Sequence, residues 1–176
     1  MVIVYKLIAA SLLAIMNPGG TGDPAKVKPV AQMQGGKSLI AYPLVRMIRT
    51  PEQWKELWVL HKGISGVPSA AGNIVNGDAE TPPVVDFTKN QVLIVFGGQL
   101  PNVQAYDYVK TIAKDKDAVI QLAPNNVTAS TVQVIMTPYI MLVLPLQKVP
   151  VAVEMDTVGQ DGTHFWAQIG RFPAEK

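Results

Sequence analysis

Two apolar runs constrain the fold most: "NQVLIVFG" at residues 90–97 and "YIMLVLPL" at residues 139–146. A strand with one face in water alternates polar and apolar residues, so a run that is apolar at nearly every position must be covered on both faces. Each run is too short for a typical helix and suits a strand. A fold that accommodates them places both centrally in a sheet, with other elements packed above and below.

The remaining pattern supplies that covering. "SLIAYPLVRMIR", residues 38–49, reads as a strand, with Pro43 marking an edge or a bulge because proline cannot donate to a ladder. "AYDYVKTIAKD" and "AVIQLAP" flank the polar turn "KDKD" and form a hairpin. "VTASTVQVIMT" sets Val132, Val134 and Met136 against Thr131, Gln133 and Thr137. "VPVAVEMD" sets Val151, Val153 and Met155 against Ala152 and Glu154. "TVGQDGT" is a turn and "HFWAQIGRF" a last strand.

One helix is signposted. Thr50 is its N-cap, Pro51 fits the first turn, and Gln53 completes a Thr-x-x-Gln capping box. Trp54, Leu57, Trp58 and His61 recur at helical spacing and share a face, which is expected to cover a sheet. Gly63 stands at the C-cap. The expected fold class is mostly β (α+β): an antiparallel sheet, a sandwich or a partly open barrel, with one α-helix near the N-terminal side of the domain.

At 176 residues the chain has one domain's length. Charged residues make up 16% and the net charge is +2, with no Lys/Arg cluster interleaved with aromatics, so nucleic acid is a poor fit. The absence of cysteine excludes disulfides, thiolate metal sites, a cysteine nucleophile and an N-terminal lipidated cysteine. The N-terminus, "MVIVYKLIAASLLAIM" followed by "NPGGTGDPA", reads as a secretory signal peptide or anchor over residues 1–22. Export to the periplasm, cell surface or exterior is therefore expected, with membrane association only through that segment. Residues 23–37, rich in Pro, Gly and Lys, are expected to be a flexible lead-in, residues 38–155 the β domain, and residues 156–176 a C-terminal hairpin extension. The connection over residues 63–83 is long enough to suggest function or mobility.

Motifs of chemistry are weak. His61 and His164 are the two imidazoles, and no paired-His spacing accompanies them. His61 ends the helix, where the macrodipole favours a cation, and reads as a capping or partly packed residue. "GISGV" is not a nucleophile elbow, and "FGGQ" is not a phosphate loop. Asp115 and Asp117 lie in a solvated turn, and Asp156 and Asp161 in turn-rich sequence. No catalytic residue, metal site or cofactor is expected. Asp86 is read structurally, its carboxylate accepting backbone N–H groups at Thr88 and Lys89.

The order of motifs resembles the PrcB-like domain, the C-terminal domain of a protease complex subunit. The matching residues are Trp54 and Trp58, then Val85, Asp86 and Phe87 with Thr88 and Lys89, then Gly97 and Gly98, and finally Thr137, Pro138 and Tyr139 with Pro145. The likeness spans residues 44–153. The family's Gly-Gly-Tyr loop is replaced by "LPNVQAYDY", in which Tyr106 is the nearest counterpart of the loop tyrosine. The resemblance implies a non-catalytic envelope domain that associates with a secreted protease and stabilises or restrains it. Asp86 and Pro138 are then structural turn residues. Asn102, Gln104, Tyr106 and Tyr108 form a candidate protein-recognition loop, since tyrosines give amphipathic contact area at low entropy cost. The alternative is a structural envelope or surface-assembly module, suggested by edge-strand material in "VPVAVEMD" and the tail; a small enzyme ranks last.

Overall fold

The computed structural model of the chain describes residues 22–63, 81–126 and 134–175. The signal-like segment 1–21, Ser65 with most of the long connection, and residues 127–133 of the "VTASTVQVIMT" run lie outside the described residues. In chain order the described elements begin with a short 3-10 turn η1 (Pro24–Lys26), β1 (Ala31–Gly35), β2 (Pro43–Ile48) and α1 (Pro51–Lys62). There follow β3 (Asn90–Gly97), β4 (Leu100–Pro101), β5 (Val103–Lys114) and β6 (Asp117–Asn126). The last four are β7 (Ile135–Met136), β8 (Tyr139–Pro145), β9 (Val151–Val158) and β10 (His164–Phe172).

Two four-stranded sheets stack as a sandwich. Sheet I has the order β1-β8-β3-β2 and sheet II the order β10-β9-β6-β5; β4 and β7 pair as a two-stranded ribbon. The two apolar runs are the inner strands of sheet I, and alternate residues of each serve different cores. Leu93 and Val95 of β3 and Ile140, Leu142 and Leu144 of β8 face sheet II, where they meet Ile120, Leu122, Val151 and Val153. Val92, Ile94, Phe96, Tyr139 and Met141 face the other way, onto Trp54, Leu57 and Trp58 of α1. The two-sided apolarity of these strands thus follows from a helix on one face and a second sheet on the other.

The helix starts and stops at the residues its sequence marks. Thr50 Oγ1 accepts from Gln53 N at 3.3 Å, and Gly63, at φ 83°, gives its N–H to Val59 O at 2.8 Å. Gln53 Oε1 reaches back to Arg49 N at 3.1 Å, one residue beyond the N-cap of an ideal capping box. Pro43 opens β2, an edge strand, as proline requires.

Three expectations are corrected. The lead-in over residues 23–37 contains structure: Val27 is fully buried, and β1 pairs with β8 from Ala31↔Val143 to Gly35↔Tyr139. Its sequence, "AQMQG", has little strand propensity, and the strand exists because the edge of β8 offers a ladder to complete. The sheets are mostly antiparallel, as expected, and one neighbour pair is parallel: β6 and β9 run together from Ala118↔Val151 to Leu122↔Met155. The chain leaves sheet II after β6, builds β8 in sheet I, and returns, so the two strands are joined by a crossover. "VPVAVEMD" is not edge material, because β9 is flanked by β10 and β6. The tail contributes to the sandwich itself: Ile169 and Phe172 pack on its core, and Arg49 donates to Pro173 O at 2.7 Å.

Candidate recognition cleft

The segment after β1 is fixed by paired hydrogen bonds to the turn before β8. Thr137 N donates to Gly36 O at 2.9 Å, Ser38 N donates to Thr137 Oγ1 at 2.7 Å, and Thr137 Oγ1 donates to Ser38 O at 2.7 Å. Leu39 N donates to His61 O at 3.0 Å, which ties the same segment to the end of α1. These contacts leave a cleft of about 310 Å³ between residues 36–39, the C-terminus of α1, Gln99, and the strip from Ile135 to Thr137. Its surroundings are apolar and exposed: Leu39 is 45% exposed, Ile135 61%, Val134 47% and Tyr42 56%. Gly98, at φ 73°, brings the chain against Tyr42 and Pro43, so the turn after β3 lies beside the cleft. Exposed Lys37 adds a cation to the rim.

His61 stands beneath this surface. It is 1% exposed, within 4.4 Å of Tyr139 and 5.6 Å of Phe96 by ring centroids, and its Nδ1 lies 2.9 Å from Ser38 Oγ. Ser38 Oγ already accepts from Ile40 N at 3.0 Å. Donating its O–H to Nδ1 as a hydrogen bond satisfies the hydroxyl, an arrangement in which the neutral ring carries its proton on Nε2. Nε2 has no hydrogen-bond partner among the described residues and lies amid aromatic rings. Burial lowers the imidazole pKa to about 4, and the charge of Lys62 adds to the effect, so the ring is neutral at pH 7. The expectation of a partly packed, cation-favouring cap is corrected: desolvation outweighs the helix dipole at this depth. The Ser38–His61 pair holds backbone in place, and the serine, 8% exposed, presents little surface to a substrate.

The candidate loop divides. Asn102, at φ 59°, accepts from Val134 N through Oδ1 at 3.0 Å and gives its own N–H to Val134 O at 2.9 Å, which pins the β4–β7 ribbon beside the cleft. Gln104 is exposed at a bulge between Val103 and Ala105. Tyr106 is 5% exposed and belongs to the core between the sheets, where burial raises its pKa. Tyr108 is half-buried on the same core face, with its hydroxyl 3.0 Å from Thr111 Oγ1. The two tyrosines share a face, but that face is inward, so Tyr106 is corrected from a recognition residue to a packing residue. Leu39 and Ile135, which line the cleft, and nearby Tyr42 carry no motif; their only signal is an apolar side chain beside a turn or edge, outside the regular alternation.

The turn residues have defined roles. Asp86 Oδ1 accepts from Thr88 N at 3.0 Å and from Thr88 Oγ1 at 2.5 Å, and these bonds draw its pKa down. Lys89 N goes to the main-chain oxygen of Asp86 at 3.2 Å instead of the carboxylate, and Lys89 Nζ lies 3.5 Å from Oδ2. Pro138 O accepts from Gly97 N at 2.9 Å, joining the turn before β8 to the end of β3. His164 opens β10, with Nδ1 3.0 Å from Asp156 Oδ1. Among the described residues no group of three or more His, Asp and Glu converges on a metal-sized site.

Comparison with protein-family models, curated proteins and solved structures finds no match to the chain. Fold and cleft together define the class: a two-sheet β sandwich with, among the described residues, one α-helix laid over one sheet.

Proposed function

We propose that the chain is an exported, non-catalytic protein-binding domain whose recognition surface is the cleft between residues 36–39 and the β4–β7 ribbon. The observation that carries this reading is the concentration of exposed large apolar side chains, Leu39, Tyr42, Val134 and Ile135, on a backbone fixed by hydrogen bonds. Preorganised apolar contact area of this kind favours association, because little ordering entropy is lost on binding. The cleft suits an apolar anchor side chain of a partner, with Lys37 placed to meet an acidic group beside it. The resemblance to PrcB-like domains points to a secreted protease as that partner, which the domain stabilises or restrains.

Co-purification of the full chain from its native cells tests the proposal. One specific protein is expected to accompany the wild type and the Trp166→Ala variant. It should be lost from a Leu39→Ser, Ile135→Ser double variant with an unchanged melting temperature. Retention of the partner by the folded double variant would refute the cleft as the site. A second reading, assembly of copies through a sheet edge, is favoured by β10, an edge strand of sheet II among the described residues, with Phe165 48% exposed. Concentration-dependent association in sedimentation, abolished by Phe165→Ser, is its expected signature.

A further inference from the structure

The outer face of sheet II, turned away from the core, carries a second constellation. In β9, Val151, Val153 and Met155 point to the core, so Ala152, Glu154 and Asp156 point outward. The register sets Gln168 of β10 beside Glu154, and Glu154 beside Gln121 of β6; Trp166 stands opposite Asp156. Directly paired residues share a face. A row of amide, carboxylate and amide therefore crosses three strands, with an indole at its flank. Trp166 is 39% exposed and Gln168 is exposed.

Each acid of this face has a side-chain partner. Lys114 Nζ lies 3.3 Å from Glu154 Oε1, His164 Nδ1 3.0 Å from Asp156 Oδ1, and Arg171 holds Asp117 through bonds of 2.6 and 3.0 Å. The central amide is incomplete. Gln121 Nε2 donates to Glu154 Oε2 at 2.9 Å, which fixes the amide's orientation, since the flipped amide would set oxygen against oxygen. Gln121 Oε1 is then buried with no hydrogen-bond partner among the described residues, a costly state that a donor would relieve.

We propose that this face binds a neutral, hydroxyl-rich ligand, a saccharide chain, stacked on Trp166 and hydrogen-bonded along the Gln168–Glu154–Gln121 row. Lys110 stands opposite Gln121 on this face, but a polyanion would also meet the carboxylates of Glu154, Asp156 and Asp117, and an apolar segment would bury the amide row unsatisfied. A sugar hydroxyl both donates and accepts, so it supplies the donor Gln121 Oε1 lacks and accepts a hydrogen bond from Gln168 Nε2. The apolar C–H face of a sugar ring matches the negative face of the indole. Lys114 reaches over Glu154 from a side chain that is itself 64% exposed, so its displacement opens the row. The strands are spaced about 4.8 Å apart, a step close to the length of one sugar ring, so successive rings meet successive strands.

Titration of the full chain with cellohexaose, xylohexaose, mannohexaose and chitohexaose, followed by tryptophan emission and calorimetry, tests this. At least one is expected to bind saturably and to change the emission of Trp166, because Trp54 and Trp58 are each only 5% exposed. Trp166→Ala, at an exposed position, should weaken binding at least about tenfold. Trp166→Phe should weaken it less, and raising salt should change it little. The Leu39→Ser, Ile135→Ser variant should bind sugar as the wild type does, so this site and the protein-recognition cleft stand or fall separately. No saturable binding by any of the four, equal affinity in the folded Trp166→Ala variant, or a steep salt dependence would overturn the proposal.

Discussion

At its position against Trp58, Phe96 and Tyr139, His61 is kept uncharged by burial, and this makes the stability of the domain depend on pH. The folded-state pKa of about 4 lies below the ordinary 6.5, so as pH falls the unfolded chain takes up a proton before the folded one does. Stability is full above about pH 6.5, declines through the window down to about pH 4, and levels off below it. The whole loss amounts to about 3 kcal/mol at about 1.4 kcal/mol per pH unit. Urea unfolding at pH 7.5, 5.5 and 4.5 should show it, and His61→Leu should flatten the dependence; an equal slope in the variant would refute a neutral buried imidazole. Asp86, Asp117 and Asp161 act in a separate window, since hydrogen bonds hold their pKa values below the usual 3.8. Their contributions are present above that value and are lost as pH falls below it. Asp86→Ala should lower the melting temperature by a few degrees, with Asp86→Asn restoring part of it through the same turn bond to Thr88. An unchanged melting temperature in Asp86→Ala would remove the turn role.

At the scale of elements, legibility followed how local the cause was. Helix α1 was readable to the residue because Thr50, Pro51, Gln53 and Gly63 act on their own backbone, and its buried face is the periodic set Trp54, Leu57, Trp58 and His61. Strands β3 and β8 were readable because each carries two cores' worth of apolar residues. Strand β1 was not, since its pairing is a property of β8's edge and not of "AQMQG". Leu57 is 1% exposed in the helix–sheet core, so Leu57→Ala should cost about 2–5 kcal/mol in equilibrium unfolding. Thr50→Ala should cost about 1 kcal/mol through loss of the cap. The order of the two is the test: a cap that outweighed the core leucine would mean that α1 is held by its own ends and not by sheet I.

For the whole molecule, composition and alternation implied a layered β fold, but nothing local specifies which strand returns to which sheet. The parallel β6–β9 pair and the inward direction of Tyr106 are both consequences of that non-local topology. They also explain why a loop tyrosine read as a surface residue: Tyr106 sits two residues from exposed Gln104, and only the stacking of sheet II on sheet I decides its side. Gly97, the last residue of β3 in sheet I, makes that stacking possible. A Cβ placed there would collide with the Tyr106 hydroxyl from β5 of sheet II, and would also meet Leu100 Cδ1 and Pro138 Cγ at 3.0 Å each. The glycine that ends the buried strand is thus required by close approach between the sheets. Gly97→Ala should therefore destabilise the domain by about 1–3 kcal/mol through overpacking. Tyr106→Phe, which removes only the colliding oxygen, should cost less than about 1.5 kcal/mol as a nearly volume-conserving change. The two should not add: in the double variant the ring can accept the new methyl group, and about 1 kcal/mol or more of the Gly97→Ala cost should return as coupling energy. The residual cost reflects Leu100 and Pro138, which the second substitution leaves in place. Strict additivity in a double-mutant cycle, measured by denaturant unfolding, would mean that Tyr106 does not hold the sheets in register at Gly97.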